Sequence, residues 1–221
     1  MTPRTDQPGA KRVTRRRAET RQRLLDAALD VFADNGFGRS TVEQVCERGG
    51  YTRGAFYSNF ASLDEMFLAM WEQRSRQLVE DFTAAADRVA AAGAAAQADD
   101  MLAAVTTQMA DAVPVDDRWY RVNAEFTAHA LRTPSLKKAL AAREQAITAA
   151  LVQVVRRLLA AGGRRILGDP ADLGRALVAV HDGTSVQCLV EPDDARVWDL
   201  RRDLFVRVLT SYSEPVEGDR E

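Results

Sequence analysis

The sequence predicts an all-α protein, and three observations carry that prediction. Apolar residues recur at helical spacing along most of the chain, Ser-x-x-Glu boxes stand where two of these stripes begin, and Gly or Pro stands where several end. No segment alternates apolar and polar residues as a half-buried strand does.

The elements follow in order. Residues 1–16 form a basic leader containing Pro and Gly and are expected to be a disordered arm. Leu24, Leu25, Ala28, Val31 and Phe32 make the stripe of a first helix, which Asn35-Gly36 should close with a left-handed C-cap. Ser40 to Glu43 reads as a capping box for a short second helix with Val42, Val45 and Cys46 on one face, halted by Gly49-Gly50. Thr52 can cap a third helix. Ser62 to Glu65 is a second capping box, opening a long helix whose Phe67, Met70, Trp71, Leu78 and Phe82 share a face. The alanine-rich stretch from Ala84 to Ala98, with Gly93 inside it, marks the end of that helix and a connector. Pro114 and Pro134 bound the next helix, where Trp119, Asn123 or Val122, Phe126 and Ala130 fall on one face. Leu136, Leu140, Ile147, Leu151, Val154 and Leu158 trace a long helix ending at Gly162-Gly163. Asp169-Pro170 is an N-cap and first-turn signal for a helix that runs to about Glu191-Pro192. In the last helix Val197, Trp198, Leu200, Leu204, Phe205, Val208, Leu209 and Tyr212 cover too wide an arc for one buried face, so Trp198 and Phe205 are expected to meet a second subunit. Residues 214–221 are expected to be a disordered tail.

Composition narrows the function classes. The chain has 221 residues, 46% hydrophobic and 28% charged, enough to bury a sizeable core. No apolar run is long enough for a membrane span and the N-terminus carries no signal-peptide stretch, so a cytoplasmic location without membrane contact is expected. Cys46 and Cys188 stand far apart without a Cys/His cluster, which makes them buried free thiols rather than a zinc site or a disulfide. The net charge of −2 hides an asymmetry: residues 1–60 hold 11 Lys/Arg against 7 Asp/Glu, and the remainder is net negative. Seven of those basic residues lie between Lys11 and Arg23, a density suited to a polyanion.

The second and third helices, joined by Gly49, Gly50 and Tyr51, have the size and glycine-containing turn of a helix-turn-helix. Phe56 and Phe60, four apart, can pin the third helix onto the first two. Its other surface then carries Gly54, Ala55, Ser58 and Asn59 flanked by Arg53 and Tyr57. The small residues let the backbone come close, and the polar ones can bond to bases or phosphates.

From Ala18 to Glu72 the sequence resembles the DNA-binding domain of the tetracycline-repressor (TetR) family of bacterial regulators. The resemblance rests on the Leu-x-Ala-Ala-x-x-x-Phe-x-x-x-Gly pattern of helix one, the Thr-Val before helix two, and "TRGAFYSNF" followed by a fresh helix. It implies a homodimer placing two recognition helices in successive major grooves of a palindromic double-stranded DNA operator, with a variable helical domain behind that binds a small molecule. By position it implies DNA contacts from Thr52, Arg53, Gly54, Ala55, Tyr57, Ser58 and Asn59, with Thr41 and Arg21 as backbone contacts. Two departures stand out: Leu63 replaces the lysine that usually touches a phosphate, and Asn59 stands where histidine is common.

On this reading residues 17–63 are the DNA-binding domain and residues 64–213 the effector-binding and dimerisation domain. Trp119, Asn123, Phe126 and His129 are the effector-binding candidates, and Met101, Val105 and Met109 extend the same apolar stripe toward a mainly apolar ligand. Glu125 and His129 share a face, but two residues make no metal site. His129 and His181 are accompanied by no Ser/His/Asp order, phosphate loop or Glu-x-x-His pair, so no catalytic residue, metal or cofactor is expected. The expected function is a ligand-responsive transcriptional regulator of the nucleoid DNA, most simply a repressor released by its effector. The alternative is an effector-free DNA-organising or protein-interaction factor on the same scaffold.

Overall fold

The stripes and caps read above form helices in the computed structural model, which describes residues 8–92 and 114–216. Its elements are α1 (Pro8–Asn35), a 3₁₀ turn (Phe37–Arg39), α2 (Val42–Gly49), α3 (Arg53–Tyr57), α4 (Leu63–Ala92), α5 (Asp117–Ala130), α6 (Pro134–Ala161), β1 (Arg164–Ile166), α7 (Pro170–Val190), α8 (Ala195–Ser211) and β2 (Ser213–Pro215). The fold is all-α, with the two strands as a minor addition. Met101, Val105 and Met109 lie outside the described residues, as do residues 1–7 and 217–221.

Several boundaries differ from expectation. Helix α1 begins at Pro8, so residues 8–16 are helical rather than a disordered arm. Proline at a first helical position gives up no hydrogen bond that the helix would otherwise make, and Arg15 pairs with Glu19 one turn on. The capping box of α2 sits one residue later than read: the Thr41 hydroxyl accepts from the Gln44 amide, and the Gln44 side chain accepts from the Thr41 amide. Ser40 is unavailable for that role because its hydroxyl donates to the Gly36 carbonyl at 2.8 Å. Gly36 does have positive φ, but its φ 83°, ψ 144° lie outside the left-handed helical basin expected for the C-cap. The tail expected from residue 214 is paired through Pro215, where Arg164, Arg165 and Ile166 face Pro215, Glu214 and Ser213 in antiparallel register. Arg165 forms an ion pair with Glu214, and Arg164 bonds to both the hydroxyl and the carbonyl of Ser213. Three-residue strands are too short to leave an alternating pattern in the sequence.

Two compact units are present: Met1–Trp71 with Arg121–Lys137, and Glu72–Tyr120 with Lys138–Glu221. The division therefore does not fall at a single point near residue 63. In the first unit, Leu24, Ala28, Val31 and Phe32 of α1 are buried together with Val45, Cys46, Phe56, Phe60, Met66 and Phe67. Phe37 explains why α5 joins this unit: its ring lies 5.0 Å from Phe32, 5.9 Å from Phe67 and 5.1 Å from Phe126, while Phe67 and Phe126 stack at 3.7 Å. Val122, Phe126 and Ala130 are the buried face of α5, so Val122 rather than Asn123 completes that stripe. In the second unit, Phe82 and Ala86 of α4 pack with Val154, Val155, Leu158 and Leu159 of α6, Leu173 and Leu177 of α7, and Phe205 and Leu209 of α8. Phe205 is thus a core residue and does not point outward as the sequence suggested. The α8 positions left exposed include Leu200, and on α7 Val186 and Val190 are exposed.

Candidate nucleic-acid interface

Helices α2 and α3 are positioned from beneath by apolar side chains and at their ends by caps. Val45, Cys46, Phe56 and Phe60 are buried; burial also pushes the Cys46 thiol above its ordinary pKa, which keeps it protonated. Thr52 caps α3, its hydroxyl accepting from the Ala55 amide at 3.2 Å. The far end of α3 is closed by cations from α1: Arg17 donates to the Ser58 carbonyl at 3.0 Å, and Arg21 to the Asn59 carbonyl at 3.2 Å. Positive charge there complements the helix dipole and satisfies carbonyls left open at the terminus. Arg21 also lies 4.2 Å from the centre of the Phe60 ring. Its first role is therefore to hold the end of α3, a role the residue pattern did not reveal.

The outer surface is polar. Thr41, Thr52, Arg53, Gly54, Tyr57 and Ser58 are exposed, and Ala55 and Asn59 are half-buried. Gly54 has only the Thr52 hydroxyl within 4 Å of where a Cβ would stand, so nothing inside the protein demands a glycine there. Arg53 is held between two neighbours: its Nη1 lies 2.9 Å from Glu43 Oε1 on α2, and its guanidinium stands 5.9 Å from the Tyr57 ring. Ser58 and Asn59 turn back on their own helix and donate to the Ala55 carbonyl at 2.9 and 2.8 Å. The Asn59 Oδ1 is buried without a partner. A short helix with a small-residue face, flanked by Arg and Tyr, can enter a groove and bond to base edges and phosphates.

Residues 24–70 match the family model described as bacterial regulatory proteins of the tetR family, and residues 98–209, more than half of the chain, match that of the C-terminal region of BetI-type transcriptional repressors. The chain belongs to the tetR family. Among curated relatives, the transcriptional regulator SrpR of Pseudomonas putida is 43% identical over 65 residues, 29% of this chain and 30% of its own length. The repressor Rv1474c of Mycobacterium tuberculosis is 28% identical over 182 residues, covering 81% of this chain and 88% of its own. The match spans less than half the length of the first two curated relatives, 30% of SrpR and 48% of TtgW from Pseudomonas putida. Among solved structures, a TetR-family regulator from Mesorhizobium loti superposes with a TM-score of 0.69 at 15% identity over 90% of this chain and 99% of its own. FadR of Bacillus subtilis, in complex with stearoyl-CoA, gives 0.59 at 17% identity over 86% of this chain and 97% of its own. At these identities the structures share the fold.

The four effector candidates of this tetR-family regulator all stand on α5, but the two units divide them. In the first unit Phe126 is fully buried against Phe67, and the His129 Nε2 lies 3.2 Å from the Asp64 carboxylate. Asn123 is half-buried on the same helix. Trp119 belongs to the second unit, with the Arg74 guanidinium 5.0 Å from its ring. Arg74 also bonds Asp116 at 2.6 Å, and the Trp119 amide donates to Asp116 Oδ1 at 3.2 Å. Burial alone would push the Asp116 carboxyl up, but these bonds outweigh it and hold the pKa below its ordinary value. Glu125, read from the sequence only as half of an insufficient metal pair, accepts from the Phe37 amide at 2.6 Å. Gly36 makes room for it: a Cβ there would lie 2.9 Å from Glu125 Oε2. Arg121 of the same helix donates to the Ala33 carbonyl at the end of α1.

One polar cluster in the second unit had no signal in the sequence. Arg201 of α8 is 1% exposed, and its Nη1 donates to the Thr184 hydroxyl at 2.7 Å, the His181 carbonyl at 3.3 Å and the Ser185 hydroxyl at 3.4 Å. Its Nη2 lies 2.9 Å from His181 Nδ1, which assigns that nitrogen as the acceptor and leaves the ring neutral. Burial and the neighbouring guanidinium push the His181 pKa down to about 4. Among the described residues no carboxylate lies within ion-pair distance of Arg201.

Proposed function

We propose that this regulator is a homodimeric repressor that binds a palindromic double-stranded DNA operator and leaves it when a small molecule binds. The observation that carries the reading is α3: Phe56 and Phe60 anchor it from below, Arg17 and Arg21 fix its end, and Arg53, Gly54 and Tyr57 are left facing solvent. That is the arrangement a recognition helix needs to approach base edges. Thr41, Thr52, Ala55, Ser58 and Asn59 border the same surface and complete the proposed contact set with Arg21. Asn59 and Ser58 can join it by turning away from the Ala55 carbonyl, which would also give the buried Asn59 oxygen a partner.

Dimerisation is assigned to α7 and α8, where Val186, Val190 and Leu200 expose apolar surface. The effector is proposed to be a mainly apolar molecule met in the first unit by Asn123, Phe126 and His129, with Trp119 of the second unit a candidate from the sequence alone. Support for an apolar portion comes from FadR, a protein of this fold whose structure is in complex with stearoyl-CoA, a long acyl chain on a charged coenzyme. An effector that drew Phe126 from Phe67, or His129 from Asp64, would disturb the packing around Phe37 and, through Glu125 and Arg121, the end of α1. Release then requires only that the effector favour that state; a shift from mostly bound to mostly released needs a differential affinity of about 5 kcal/mol. The protein would act in the cytoplasm, on nucleoid DNA. In domain terms, residues 17–63 would carry DNA binding and residues 64–213 effector binding and dimerisation, with α5 lending part of its length to the first unit.

Selection of bound sequences from a random duplex pool tests the reading. A palindromic consensus whose half-sites lie about one helical turn apart is expected. Recovery of no consensus at any salt concentration would refute sequence-specific regulation.

A further inference from the structure

We propose that Glu43 is a positioning residue for DNA readout: it fixes the Arg53 guanidinium and so sets the sequence preference at the base pair that Arg53 meets. The inference rests on the DNA-binding reading above and adds to it a residue that the recognition helix does not contain.

Glu43 lies in the first turn of α2 and Arg53 is the first residue of α3, so the beginnings of the two helices of the motif are tied by one ion pair at 2.9 Å. Both side chains remain largely exposed, 57% for Glu43 and 63% for Arg53. An ion pair that open to water adds little to stability. The fold does not need it, because α2 is already tied to α1 on another side by Arg48, which reaches Asp30 and Asp34. A carboxylate on a surface that must approach phosphates is an electrostatic cost in binding. Its placement has a use if it orients the cation that reads the base.

The chemistry of arginine supplies that use. A guanidinium is planar with five donors in a fixed fork, so a carboxylate that engages Nη1 determines the plane in which the remaining donors face a base edge. The Tyr57 ring restricts the same group from another side. Without Glu43 the long side chain is free to swing to the nearest phosphate, a contact that every sequence offers.

Two effects of opposite sign follow for Glu43→Gln. Removal of the negative charge should raise affinity for unrelated duplex DNA, about three-fold at low salt. Loss of the orienting charge should lower discrimination between the selected site and a site substituted at the Arg53 base pair, by about five-fold. A residue that served only the fold would change both affinities in the same direction. The experiment measures binding of the full chain to the selected duplex, the single-pair variants and an unrelated duplex, for wild type, Glu43→Gln, Arg53→Ala and the double variant. Thermal midpoints check that each is folded. Higher non-specific affinity, lower discrimination, and no further effect of Glu43→Gln on discrimination once Arg53 is alanine are expected. If Glu43→Gln still alters discrimination in the Arg53→Ala background, Glu43 reads DNA directly and the positioning role is overturned. Unchanged discrimination in the single variant overturns it equally. Wild-type protein that prefers no duplex refutes the regulator reading itself, an outcome separable from the other two.

Discussion

Acid should destabilise the second unit through one imidazole. His181 Nδ1 faces Arg201 Nη2 at 2.9 Å, and its pKa is held at about 4 against an ordinary value of 6.5. The unfolded chain therefore takes up a proton near pH 6.5 while the folded protein does not do so until about pH 4. Because the unfolded state binds more protons across that window, stability must fall as pH falls through it. The gap of about 2.5 units, at about 1.4 kcal/mol per unit, bounds the loss at about 3.5 kcal/mol. Asp182 and Glu144 work the other way. Burial pushes both carboxyls up, Glu144 further through the nearby Asp182 charge, so their protonation favours the folded state as pH falls.

The perturbation that isolates the imidazole is His181→Asn, whose side-chain oxygen can still accept from Arg201 but does not titrate. Urea unfolding of both proteins at matched concentration, in steps from pH 7.5 to 4, measures the difference. Wild type should lose up to about 3.5 kcal/mol relative to the variant between pH 6.5 and 4, and the gap should stop growing near pH 4. Parallel stability curves over that range would refute the argument, and with it the assignment of His181 as a neutral acceptor.

Three further outcomes are expected. Arg53→Ala should cost about 1–3 kcal/mol on the selected operator and relax preference at one base pair, whereas Tyr57→Phe should weaken all duplexes alike in a binding titration. Gly174→Ala should destabilise by about 1–3 kcal/mol in thermal or urea unfolding, because its Cβ would collide with Thr148 Cγ2 and lie 2.9 Å from Val152 Cγ2; Thr148→Ser, which removes the nearer methyl, should recover part of the loss. Charges on the exposed apolar positions, as in Val190→Asp with Leu200→Asp, should give monomers by analytical ultracentrifugation and weaken operator binding, since one half-site cannot draw on the effective concentration that joins two; a dimer of unchanged strength would move the interface elsewhere.

The helical class, the helix-turn-helix and most of its anchors were legible in the residues alone. These are local properties: a 3.6-residue stripe, a threonine cap before α3 and an Asp-Pro start for α7 act within one or two turns, so their signals lie close together in the chain. Phe56 and Phe60 were legible as core for the same reason. The capping box of α2 was misplaced by one residue because Ser40 and Thr41 both qualify by type, and only the bond from Ser40 to the Gly36 carbonyl decides between them. Pairings across long separations became visible only in the folded chain. Glu125 meets Phe37, Arg21 closes the end of α3, and β1 finds β2 near the C-terminus. Phe205 and Arg201 show the limit most directly. The apolar arc on α8 was visible, but which part faced inward was not, and the structure buries an arginine between apolar turns because α7 offers it two hydroxyls, a carbonyl and an imidazole nitrogen. A residue's type states what it can bond to; only the packed neighbours state whether a partner is there, and the free energy of burying a charge depends on that partner.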